Sequence, residues 1–87
     1  MTLIDMEYEE FVKRIKEMPP EVARDLVEAL EDRLRGIEAA VVAARQRGDK
    51  GAETRLLMAL AWNARKLAAL KAVLAEARLR DMRWGES

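Results

Sequence analysis

The side chains able to do chemistry in this chain are few and scattered. Its hydroxyls are Thr2, Tyr8, Thr54 and Ser87, and it has neither cysteine nor histidine. With no imidazole to activate a hydroxyl, nucleophilic catalysis would need a lysine of depressed pKa or a pair of carboxylates. Lys71 alone is expected to project toward the apolar side of its helix, and an alkyl stem along the interface with its ammonium in water accounts for it. The neighbouring acids Glu9-Glu10 and Glu31-Asp32 fall on solvated faces. A metal site would have to be all oxygen, and no Asp-rich loop with calcium-site spacing is present. No glycine-rich phosphate loop follows a strand, because no strand is expected. The sequence therefore predicts no enzyme, no metal and no cofactor. Arg47-Gly48-Asp49 is the tripeptide that integrin ligands display, but its glycine and aspartate are already accounted for as a helix stop and a helix cap.

Binding chemistry is better represented. At 100° per residue, Trp62 falls amid Arg55, Arg65, Lys66, Glu76 and Arg80, with Met58 alongside. A tryptophan beside arginines on a charged face has the composition of an interface hot spot. The alternative reading of Trp62 is packing under a partner helix, or a cation–π contact with Lys66 one turn on. Asn63 interrupts a leucine seam. It could fix register as a lone buried amide does, but an edge position with the amide reaching water is the preferred reading. A second basic group, Arg45, Arg47, Lys50 and Arg55, clusters near the predicted turn and could neutralise phosphates. The overall charge is zero, however, and no nucleic-acid recognition module is recognisable.

The elements that must position these residues are helices. The composition is rich in Ala, Leu, Glu and Arg, and apolar residues recur at three- and four-residue spacing. Ile4, Tyr8, Phe11, Val12, Ile15 and Met18 give a first helix over about 5–18, ended by Pro19-Pro20. Ala23, Val27, Leu30, Leu34, Ile37, Val41 and Ala44 give a second over 20–47. Gly36 lies almost opposite that seam. A turn at Gly48 to Gly51 leads to a third helix over 52–83, with Leu56, Leu60, Leu67, Leu70, Leu74 and Ala77 on one face. Trp84 is expected to anchor the end of this helix against the first.

These elements predict an all-α single domain spanning 1–87. Its form is an antiparallel helical hairpin of two long helices, with a short N-terminal helix packed on the end away from the turn. That helix is too short to cover the turn-proximal half. Val41, Val42, Leu56, Leu57 and Leu60 are thereby left as a self-association surface, and a homodimer is expected. No secretory leader and no bilayer-length apolar run are read from the sequence, so the expected location is cytoplasmic and no membrane partner is expected.

Charge is split along the chain. Residues 1–32 carry ten acids against four bases, and residues 33–87 carry six acids against twelve. A hairpin opposes the two halves, setting Glu21 across from Arg78 and Glu28 across from Lys71, so much of the split reads as an internal device for register. The function expected is a non-enzymatic protein-binding module of the adaptor, chaperone or inhibitor type, which masks or bridges a surface of a larger protein partner. Small helical proteins of this composition are often encoded by phages and other mobile elements, an analogy of type only. The binding residues are Met58, Trp62, Arg65 and Lys66, with Arg55 at the rim. The alternatives are a nucleic-acid-associated protein using the bases near the turn, and a self-assembling structural subunit.

Overall fold

The structure, a computed structural model, describes residues 5–85, with side-chain environments for 5–80. Three helices account for these residues, α1 (Tyr8–Lys16), α2 (Pro20–Arg47) and α3 (Lys50–Gly85), and no strand occurs among them. The molecule is a rod with extents of 59 × 23 × 15 Å. No described helix is long and apolar enough to cross a membrane.

Helix α2 has the bounds that its punctuation dictates. Pro19 is extended at φ −61°, ψ 145°, and its carbonyl accepts from the Ala23 amide at 3.0 Å. Pro20 then occupies the first helical position, where a missing N–H costs nothing. At the other end Gly48 adopts the left-handed conformation, φ 72°, ψ 20°. Its amide reaches the Arg45 carbonyl at 3.1 Å, and the Asp49 amide reaches the Ala44 carbonyl at 2.9 Å. This pair of bonds closes the last turn in the manner that favours glycine at the stop.

The other two helices depart from the sequence expectation at their ends. Helix α3 starts at Lys50, two residues early, because the Asp49 carboxylate accepts from the Ala52 amide at 3.1 Å and caps the first turn from just outside it. Helix α1 starts three residues late and ends two early. Glu7 is extended at ψ 151°, and the carbonyl of Met6 is turned toward the Lys66 ammonium, so the chain before Tyr8 is tied to α3 instead of continuing the helix. After Lys16, the amides of Glu17 and Met18 bond three residues back, and the approaching proline disfavours further helical backbone.

Helices α2 and α3 share the largest interface, and α1 packs on α3. The core joins Phe11 and Ile15 of α1 to Ala23 and Leu30 of α2 and to Leu67 and Leu70 of α3. Phe11 and Ile15 are fully buried, each worth about 1.5–3 kcal/mol by apolar burial. Their four-residue spacing gives α1 one apolar ridge, with Glu9, Glu10, Lys13 and Arg14 left exposed. Among the described residues two ion pairs cross between the long helices, Arg45 to Glu53 at 3.0 Å and Lys71 to Glu31 at 3.8 Å. The second replaces the Glu28–Lys71 pairing expected from sequence. A helical side chain lies over the turn N-terminal to its own Cα, so Lys71 leans toward the Gly48 turn and meets Glu31, one turn beyond Glu28. The side chain of Trp84 lies outside the described residues.

Candidate interaction surface

The start of α1 and the middle of α3 build the most chemically dense region of the molecule. Spacing on α3 delivers Trp62, Arg65 and Lys66 to neighbouring positions one turn apart. The chain entering α1 supplies Asp5, Met6 and Tyr8. The Arg65 guanidinium lies 3.8 Å from the Tyr8 ring centroid. The Lys66 ammonium lies 3.3 Å from the Trp62 centroid and 5.5 Å from that of Phe11, and it donates a hydrogen bond to the Met6 carbonyl. Arg33 of α2 closes the arrangement with a 3.3 Å ion pair to Asp5. Cations on aromatic faces, with a backbone carbonyl as acceptor, thus clasp the beginning of α1 to both long helices.

Lys66 was expected on the exposed partner-binding face, and the structure instead gives it no exposed surface. Burial pushes its ammonium below the ordinary lysine pKa of 10.5; the Asp5 carboxylate opposes that shift, and the Arg33 guanidinium reinforces it. Two neighbours account for this placement, the entry to α1 and the Trp62 ring. The inner face of the ring covers the ammonium, so the cation–π contact takes the place of part of the lost hydration. A lysine of lowered pKa is the sort of group that can act as a nucleophile. Here it is committed to a carbonyl and covered by an indole, with no open path to a substrate.

The rest of the predicted binding group stays on the surface. Met58 is 69% exposed and Trp62 40% exposed, and Arg55 and Arg65 are exposed beside them. Trp62 and Arg65 also border a cleft of about 410 Å³ with Glu7, Tyr8 and Glu9 of the α1 entry. The structure therefore brings Trp62, Arg65 and Lys66 together with α1, while Met58 and Arg55 continue the same side of α3 toward the turn. Of the residues expected to self-associate, Val42 and Leu57 are exposed, Leu56 and Leu60 are half-buried, and Val41 lies buried within the α2–α3 interface. Of the bases near the turn, Arg45 is held by Glu53, and Arg47, Lys50 and Arg55 are exposed.

Asn63 overturns the edge-position reading, since it is only 2% exposed. Its amide nitrogen donates to the Ala59 carbonyl at 2.7 Å within the same helix, and its side-chain oxygen is buried without a partner. An amide at a seam position is turned inward with its leucine neighbours when the helix has no freedom to rotate. Sequence reading missed Tyr8 and Met6 as partners of α3. The Trp62–Lys66 contact itself was among the sequence readings, but it does not say which residues of the α1 entry lie across from it. Among the described residues no group of three or more His, Cys, Asp or Glu side chains is placed to hold a metal ion. Comparison with protein-family models, curated proteins and solved structures gives no match to this chain.

Proposed function

We propose that this chain is a non-enzymatic protein-binding module, of the adaptor, chaperone or inhibitor type, that masks or bridges a surface of a larger protein. In this reading α2 and α3 form an antiparallel hairpin, and α1 stiffens the end away from the Gly48 turn. The turn-proximal side of α3 is then left to meet a partner. The observation that carries the proposal is the exposure of Met58 and Trp62 side by side on α3, flanked by exposed Arg55 and Arg65. Large apolar side chains ringed by arginine, next to a rigid clasp, supply contact area at little ordering cost. A second copy of the chain, docked on Val42 and Leu57, completes a homodimer in the same reading.

Met58 is the residue to perturb, because it has no role in the core, whereas Trp62 also covers Lys66. Tagged protein is expected to capture a partner from extracts of its native cell, and Met58→Glu is expected to lose that partner with helical content unchanged. Undiminished capture by Met58→Glu would remove this surface from the binding site.

A further inference from the structure

The side of the α2–α3 pair that α1 does not line carries a second surface. Two cavities, of about 430 and 290 Å³, share Arg24, Leu74 and Arg78 and so form one continuous groove where α2 begins. Val27, Leu74 and Ala75 supply apolar lining, and Arg24, Lys71 and Arg78 border it. Glu28 is the single carboxylate of the larger cavity, against three cations. Lys71 leans to Glu31 at 3.8 Å, whereas Arg24 and Arg78 make no ion pair or hydrogen bond among the described residues. Sequence pairing set Arg78 against Glu21; no ion pair joins the two among the described residues, and Arg78 shares the groove lining with Arg24.

We propose that this groove docks an acidic amphipathic helix of a protein partner. Its apolar ridge lies on Val27, Leu74 and Ala75, and its carboxylates pair with Arg24 and Arg78. Three features select this occupant. The groove runs between two helices and extends from Pro20 to Glu28 on α2, about 12 Å or two turns, which matches the anchor spacing of a helix laid in a groove. Its free charges are guanidiniums, which take carboxylates through paired N–H donors. The chain also shows the same solution on its other side, where α1 buries Phe11 and Ile15 against α2 and α3 and has Asp5 on Arg33 at its edge. This site is separate from the Met58 surface and stands without it.

The test uses the intact protein and a fluorescent synthetic helix of about 18 residues, long enough to hold helical structure, with leucines at helical spacing and glutamates flanking them. A version with lysine in place of glutamate serves as the comparison. Anisotropy is expected to show the acidic peptide binding about tenfold or more tightly than the basic one, with the preference falling at high salt. The double variant Arg24→Glu, Arg78→Glu is expected to weaken the acidic peptide about tenfold. Glu28→Lys is expected to tighten it, and Met58→Glu to leave it unchanged, so that failure here is distinct from failure of the Met58 surface. Equal binding of both peptides overturns the proposal, as does indifference to the Arg24 and Arg78 reversals. Two other occupants would also overturn it: decanoate binding in the groove without peptide binding, or a dimer seen by sedimentation that the double reversal dissociates.

Discussion

Alanine in place of Gly36 tests whether α2 is held by its own geometry or shaped for a close neighbour. Gly36 lies in the interior of α2, exposed, and only Gly48 among the described glycines has a positive φ. A methyl group built on Gly36 meets no atom within 4 Å outside the helix's own local backbone. The substitution therefore carries no steric term and no backbone strain, and what remains is the conformational freedom that glycine loses on folding. In an exposed helix interior that amounts to about 0.8–1.0 kcal/mol relative to alanine. For a chain of this size such a gain raises Tm by roughly 3–8 °C. Thermal unfolding followed by far-ultraviolet circular dichroism, at a concentration dilute enough to exclude association, reads it directly. An unchanged or lowered Tm for Gly36→Ala would refute the argument that the position is sterically free. If the isolated chain gains stability while capture of a partner falls, the glycine serves close approach of that partner.

Two further substitutions probe the clasp and the seam. Lys66 has a folded-state pKa below its unfolded value, so the unfolded chain binds the proton more readily and folding stability rises with pH through the window between the lowered value and 10.5. Lys66→Met is expected to remove that rise, so urea denaturation at stepped pH should show wild type gaining on the variant toward pH 10.5; a constant or opposite difference contradicts the burial assignment. Asn63→Leu replaces a buried carbonyl oxygen that has no partner, and is expected to add about 1 kcal/mol to unfolding free energy. A loss of stability in that variant would show that the amide is satisfied in solution.

How far the sequence determines the structure differs from element to element. The bounds of α2 were fully legible, because Pro20 and Gly48 are backbone punctuation whose effect does not depend on neighbours. The start of α1 was less so, since a tertiary contact, Met6 to Lys66, sets it; the start of α3 was placed two residues late although its cap, Asp49, was read correctly. Wheel geometry placed Trp62, Arg65 and Lys66 together correctly, but it could not say that α1 would lie over one of them. Lys66 is polar by type and sits at the border of the apolar face, where the neighbour across the groove decides whether a long side chain turns out or in. Asn63 was misread for the converse reason. Its type suggested water, while its position in the leucine seam, with Leu60, Leu67 and Leu70 around the helix, fixed it inside.

The same distinction bears on the split of charge along the chain. Opposed acidic and basic halves were expected to neutralise one another, and Glu31–Lys71 and Arg45–Glu53 do so. Both pairs involve exposed groups, however, and each contributes at most about 1 kcal/mol. Where neutralisation should have been strongest, at the beginning of α2, Arg24 and Arg78 instead border one groove without carboxylate partners among the described residues. Two guanidiniums bordering an apolar groove raise the local potential, and their mutual repulsion grows as an apolar surface displaces water from between them. A carboxylate brought in by the same surface reverses the sign of that effect. In the docking proposed for this groove the charges therefore select: a basic helix adds to the repulsion, a neutral one leaves it uncompensated, and an acidic one relieves it. In that proposal, the part of the charge split that the fold leaves uncompensated favours one sign of partner at one place.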